Sequence, residues 1–264
     1  MSANTKRSTI MLRSRRRTIA AGAKVVLAID AGNTRVKWGL HDGSRWLESG
    51  WTETARARGL TRVFAALPPV GAVVVSNVAG VALRAALDKA LPRGTAARWL
   101  RSTAIQCGVR NSYAKPAQLG CDRWAALIGA RHFHRGAAVV VNAGTALTVD
   151  ALTADGVFVG GIIVPGAELM RAALARDTAG LRLQPGGFSF FPDNTGDAIM
   201  SGAINALCGA VERMARNLEE GGGQPPGCLL SGGAAGLIAP QLNLEVKVVD
   251  NLVLEGLAVI ARGG

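Results

Sequence analysis

The strongest constraint in this 264-residue sequence is that its two halves repeat one plan. In the first half an apolar run, Val25–Ile29, ends in Asp30-Ala-Gly-Asn-Thr34. Two strand-like stretches follow, Arg35–His41 and Arg45–Trp51, joined at an Asp42-Gly43 corner. A helical stretch over 55–67 stops at Pro68-Pro69, and then come a strand at 73–75, a helix over 81–91 and a strand at 98–100. In the second half Ala138–Val141 ends in Asn142-Ala-Gly-Thr145. Strand-like 147–152 and 157–163 meet at an Asp155-Gly156 corner, followed by helices over 167–176 and 197–220 and a strand at 228–230. A short helix, a strand at 245–249 and a helix over 252–261 complete the chain. The distance from turn to corner is nearly the same in both halves, which chance explains poorly. A duplicated hairpin-plus-α/β unit predicts two similar α/β domains facing one another across a cleft. The expected boundaries are a basic, disordered tail over 1–23, an N-terminal domain over 24–118 and a C-terminal domain over 119–264.

The turns of this repeat suit phosphate. A glycine at a strand end lets backbone N–H groups approach phosphate oxygens, and the Thr34 hydroxyl adds a donor. Asp30, closing a buried strand, is placed to hold Mg²⁺ directly or through water. A plain hairpin turn with a self-capping aspartate would look the same. The second copy at 142–145 shifts the balance, because two Gly-Thr turns can grip one polyphosphate. No GxxxxGK[ST] loop occurs, and no GxGxxG joins a strand to a helix, so a nucleotide would bind in the two-hairpin manner. Ser231-Gly232-Gly233-Ala234 suits either a close approach to an adenine ring or a simple strand-to-helix turn.

A third segment runs from Tyr113 through Gly120-Cys121-Asp122-Arg123 into a helix starting near Cys121. Asp122 in a first helical turn is favoured by the helix dipole alone, and Arg123 could be its surface partner. In a functional reading Asp122 orients a substrate hydroxyl and accepts its proton late in transfer, while Arg123 neutralises an anion.

Taken in order, these pieces resemble the type III pantothenate kinases, whose members include proteins named for accessory action on a virulence regulator. The resemblance runs from about Val25 to the C-terminus. It rests on Asp30-x-Gly-Asn-Thr34, Ser76-Asn-Val78, Tyr113 with Gly120-x-Asp-Arg123, Gly144-Thr-Ala146, Gly160-Gly-x-Ile-x-Pro-Gly166, Asn194-Thr195 with Ala198-Ile199, and Val253-Leu-Glu-Gly256. It implies two RNase H-like domains of the actin, Hsp70 and sugar-kinase superfamily, and ATP-dependent phosphorylation of pantothenate to 4'-phosphopantothenate, the first step of coenzyme A synthesis. It also implies that Asp30, Ala31, Gly32, Asn33, Thr34, Arg35, Val36, Lys37 and Thr145 contact ATP. Tyr113, Gly120, Cys121, Asp122, Arg123 and Thr195 would contact pantothenate, with Asp122 the general base. Mg²⁺, a monovalent cation (K⁺ or NH₄⁺) and a cytoplasmic homodimer complete the family picture. One position departs from the family pattern: Asn142 stands where an aspartate associated with the monovalent cation is usual. An amide oxygen carries no charge, so a weaker or altered cation requirement is expected.

Composition narrows the alternatives. The net charge of +12 suggests nucleic acid, but Lys6, Arg7, Arg13, Arg15, Arg16, Arg17 and Lys24 leave about +5 for the other 240 residues. The basic stretch is thus a tail, a targeting peptide or an over-long start ahead of Met11, and it argues weakly for a nucleic-acid partner. Four scattered cysteines without a CxxC pair predict free thiols in a reducing compartment. No apolar run reaches the roughly 18–20 residues of a membrane span. The rival readings are another kinase of the same superfamily, a nucleic-acid-binding regulator and an inactive relative.

Overall fold

The computed structural model describes residues 11–14, 25–92, 94–222 and 225–263. The expectation of a disordered tail falls mostly outside these residues. Met11–Ser14, however, forms a short strand (β1). The first half continues with β2 (Val26–Ala31), β3 (Arg35–His41) and β4 (Trp46–Glu53). A 3-10 turn, Thr54–Gly59, opens α1 (Leu60–Ala65), and β5 (Ala72–Asn77), α2 (Gly80–Ala90) and β6 (Ala97–Trp99) follow. Two very short strands, β7 (Ile105–Gln106) and β8 (Val109–Asn111), precede α3 (Cys121–Phe133). The second half is β9 (Ala138–Ala143), β10 (Ala146–Leu152), β11 (Val157–Pro165), α4 (Ala167–Asp177) and α5 (Thr195–Gly222). It ends with β12 (Gly227–Ser231), α6 (Ala235–Ile238), β13 (Val246–Val248) and α7 (Leu252–Ala261).

The repeat read in the sequence is a repeat of topology. One sheet has the order β1-β4-β3-β2-β5-β6 and the other β13-β12-β9-β10-β11-β8-β7. Within them, β4-β3-β2-β5-β6 and β11-β10-β9-β12-β13 are the same five-strand arrangement. Three antiparallel strands are followed by two parallel ones in each. The copies differ at the margin, where β1 extends the first sheet and the β7–β8 hairpin the second.

Each sheet is held by its own core. Along β2 and β3 every second side chain (Leu27, Ile29, Val36, Trp38) enters a cluster with Phe64 of α1 and Leu87 of α2. Trp38 meets Phe64 edge to face at 5.9 Å. In the second copy Val139, Val141, Leu147 and Val149 pack against one stripe of α5, whose buried positions 200, 204, 207, 211, 215 and 218 recur at helical spacing.

The chain forms two compact units: Met1–Ser102 with Gly120–Ala125 and Val253–Gly264, and Thr103–Leu119 with Ala126–Leu252. This differs from the single break expected between 118 and 119. The reason is local bonding: the start of α3 hydrogen-bonds to β5, and α7 bonds to β4 and β6. Both elements therefore join the first unit although they are distant in sequence.

Candidate active site

In the first unit the Asp30 turn is built by the ladder around it. Asp30 lies half-buried at the end of β2, in register with Lys37 of β3 and Ser76 of β5. The Gly32 N–H donates to the Arg35 carbonyl at 3.0 Å, and the Thr54 hydroxyl and N–H brace the Gly32 and Thr34 carbonyls from β4's end. A Cβ on residue 32 would sit 3.1 Å from the Arg35 oxygen, so glycine keeps the turn tight. Within 30–37, Ala31 and Val36 are fully buried, so only their backbone can meet a ligand. Arg35 is exposed and stacks its guanidinium over Trp51 at 4.3 Å, while Asn33 and Thr34 are exposed.

The Asp122 segment belongs to the same unit. The Gly120 carbonyl accepts the first helical hydrogen bond, from the Trp124 N–H at 3.0 Å, which starts α3 at Cys121. The Asp122 Oδ1 accepts the Arg123 N–H at 2.8 Å and thus folds back over the helix start. A Cβ on residue 120 would come within 2.6 Å of that oxygen. The glycine of Gly-x-Asp-Arg therefore clears space for the carboxylate. Arg123 is only 7 % exposed, which excludes the surface ion pair. Cys121 points its thiol at the Ser76 hydroxyl (3.3 Å) and the Asn77 carbonyl (3.5 Å), so at this position the backbone is left to meet a substrate. Burial pushes the Cys121 thiol above its ordinary value against the hydrogen bonds from β5, and the charges of Asp122 and Asp30 push the same way. Cys121 is thus a neutral thiol turned onto β5.

The second unit carries the other candidates. Asn142 ends β9 in register with Ser231 of β12 and Thr148 of β10, as Asp30 stands to Ser76 and Lys37. The Gly144 N–H closes onto Ala146, a turn one residue shorter than its counterpart, and leaves Thr145 exposed. Gly166, just before α4, donates to the Thr145 carbonyl at 2.9 Å; a Cβ there would lie 2.4 Å from the Gly144 oxygen. Gly232 is likewise dictated by contact, with φ of 107° and a notional Cβ 2.4 Å from the Ala143 oxygen. Tyr113 follows β8, its N–H on the Asn111 side chain and its ring 5.1 Å from Phe158. Thr195 is exposed at the start of α5. That start is capped by Asn194, whose side-chain oxygen accepts the Asp197 N–H at 2.9 Å. The Gly187 N–H and then the Asn194 amide hold the Asp197 carboxyl below its ordinary range, strapping the preceding loop to the helix.

Ser76 and Asp150 carried no role in the sequence reading. Ser76 is fully buried, and Asp150 is 1 % exposed inside β10. An acid within the apolar run Ala146–Leu152 was the available signal for the latter. A cavity of about 880 Å³ in the second unit lies between Ala151, Gly161 and Met214, at the opposite end of the sheet from Thr145. It is separate from the candidate residues. Among the described residues no group of three or more His, Cys, Asp or Glu could hold a metal, and no helix is long and apolar enough to cross a membrane. All four cysteines are free thiols.

Comparison with known proteins identifies the family and the fold. The family model for type III pantothenate kinase matches residues 26–217. A type III pantothenate kinase of Aromatoleum aromaticum is 52 % identical over 239 residues, which are 90 % of this chain and 98 % of that one. Among solved structures, a candidate 2-dehydro-3-deoxygalactonokinase from Sinorhizobium meliloti superposes with a TM-score of 0.60 at 15 % identity, covering 90 % of this chain and 98 % of that one. An archaeal actin homolog superposes at 0.50 with 12 % identity, covering 91 % and 100 %. These two likenesses concern the fold, which is that of actin and the sugar kinases. On the matched family model and the close relative, the chain belongs to the type III pantothenate kinase family.

Proposed function

We propose that the protein transfers the γ-phosphoryl group of ATP to the primary hydroxyl of pantothenate, yielding 4'-phosphopantothenate for coenzyme A synthesis. The observation that carries the residue assignment is the start of α3, where Cys121 bonds to Ser76 and Asn77 of β5, with Ser76 in register with Asp30, and Asp122 follows next in the chain. Asp30 with the Gly32–Thr34 turn addresses the phosphates, and Thr145 is the further ATP contact that the family resemblance implies. Asp122, with Oδ1 committed to the Arg123 N–H, offers Oδ2 to the pantothenate hydroxyl. It orients that oxygen in line with the γ-phosphorus and takes its proton as the new bond forms. Arg123, buried beside it, suits the carboxylate of pantothenate or the charge developing on the phosphoryl group. Tyr113, Gly120 and Thr195 are the further pantothenate contacts that the family resemblance implies.

The donor set fits Mg²⁺ held chiefly by ATP and water. Asp30 supplies one hard oxygen, and a magnesium ion of a phosphotransferase takes its remaining ligands from phosphates and solvent. When bound, it neutralises charge on the transferred group. Asn142 offers an uncharged oxygen where K⁺ or NH₄⁺ would otherwise meet a carboxylate. The chain works as a cytoplasmic homodimer: its four thiols are free, and the second unit exposes Phe190 (81 %) and Phe191 (94 %), which a partner copy would cover.

The test is pantothenate-dependent ADP release by the purified protein, with Asp122→Asn beside it. The variant should melt as the parent does and lose about 10²-fold or more in turnover. Phosphorylation of sugars without pantothenate activity would overturn the substrate; near-normal turnover of the variant would remove Asp122 from its role.

A further inference from the structure

We propose that Ser76 and Cys121 form a positioning pair that sets the Asp122 carboxylate against Asp30 for phosphoryl transfer; this rests on the kinase reading above. The pair is anchored in the repeat. Ser76 ends β5 directly across from Asp30, as Ser231 ends β12 across from Asn142, and both serines are buried. The first copy adds to this the first residue of α3. Its thiol meets the Ser76 hydroxyl at 3.3 Å and donates to the Asn77 carbonyl at 3.5 Å, so the helix start is fixed on two consecutive residues of β5.

Fixing Cys121 fixes Asp122. Neighbouring residues on a helix point about 100° apart, so the rotation that seats the thiol on β5 determines where the next side chain emerges. Asp122 then folds back into the space left open at Gly120. The strand that ends beside Asp30 and the helix that begins with Asp122 are thus joined through one hydroxyl and one thiol. With the thiol neutral and turned onto β5, Cys121 acts neither as a nucleophile nor as a side-chain ligand for pantothenate.

The experiment compares Cys121→Ala, Ser76→Ala, the double variant and Cys121→Ser in the full chain. Turnover, KM for ATP and pantothenate, melting temperature and the carboxyl ¹³C shift of Asp122 are measured for each. Cys121→Ala and Ser76→Ala should each lose about tenfold in kcat, with KM for ATP within twofold and the Asp122 resonance displaced. The double variant should be no worse than either single one. Cys121→Ser keeps a donor in the same place and should return kcat and resonance to within about twofold of the parent. Full kcat in both alanine variants with an unmoved Asp122 signal would overturn the pair. A serine variant as impaired as the alanine one would reduce it to packing. If the parent lacks pantothenate kinase activity, that reading fails, while the Asp122 resonance still decides the pair.

Discussion

The sharpest consequence of the site geometry concerns Gly120. Its φ is not in the left-handed region, so alanine meets no backbone strain. The obstacle is the Asp122 Oδ1, 2.6 Å from where the new methyl would sit. Ordinary contact is about 3.5 Å, so the carboxylate must retreat by roughly 0.9 Å. A side chain's far end yields easily. Loss of a glycine at the helix start costs at most about 1 kcal/mol, or roughly 2–4 °C in melting temperature. Catalysis is less forgiving, because a displacement of about 1 Å from an in-line geometry can cost on the order of 10²-fold, or about 2.7 kcal/mol in the barrier. Gly120→Ala should therefore melt close to the parent and lose one to two orders of magnitude in kcat, measured as ADP release at saturating substrates. Because the effect travels through Asp122, adding Gly120→Ala to Asp122→Asn should cost almost nothing more. A Gly120→Ala enzyme within twofold of parental kcat would refute the clearance argument, and so would full additivity with Asp122→Asn.

Three further outcomes follow from the same contacts. Asn142→Asp should lower the K⁺ concentration for half-activation severalfold, read from ADP release against K⁺; superimposable curves would break the link between residue 142 and the cation. Gly166→Ala sets a methyl against two backbone carbonyls that cannot move aside, 2.4 Å and 2.7 Å away. Overpacking on the order of 1–3 kcal/mol should lower the melting point by about 2–12 °C, and an unchanged melt would show that the Thr145 turn is pliable. The Asp42 carboxyl is resisted by burial but held down to about 2, from 3.8, by the Ser44 N–H and hydroxyl and the Arg45 N–H. Its folded value is depressed, so its stabilisation is present above pH 3.8 and fades as pH falls towards 2. Asp42→Ala should therefore melt below the parent at pH 6, with the gap narrowing at pH 2; a gap independent of pH would assign the effect to shape instead.

Much of this was written in the chain. The Asp42-Gly43 and Asp155-Gly156 corners have Gly43 and Gly156 at φ of 101° and 84°, the conformation that Asp-Gly pairs select. The five-strand plan was legible because in both copies an apolar run ends in a glycine-threonine turn and is followed by a hairpin with an Asp-Gly corner. The β7–β8 hairpin was not. Its strands hold two and three residues, too few for any period, and its turn is Cys107-Gly108, with φ of 50° and 74°, where asparagine or aspartate would have announced it. The stretch 55–67 read as one helix because 3-10 and α-helix share a similar apolar spacing, yet it opens with a 3-10 turn. The site was legible as motifs, not as contacts. Nothing in Gly-Cys-Asp-Arg shows that the thiol faces Ser76, some 45 positions earlier, or that the glycine makes room for the aspartate. Such facts depend on helix phase and strand register, which a motif does not encode.

The bond from the Trp46 indole N–H to the Glu255 carboxylate, 2.7 Å long, joins residues 209 positions apart. On a ribosome adding about 5–20 residues per second, Trp46 waits roughly 10–40 s before its partner is made. For that interval the first unit lacks its closing helix, and the β3–β4 hairpin, synthesised early, is finished last. A nascent chain stalled anywhere before Leu252 should present this hairpin to chaperones with Trp46 lacking its Glu255 partner. Synthesis of α7, more than completion of either sheet, then supplies the last bonds of the first unit to β4 and β6.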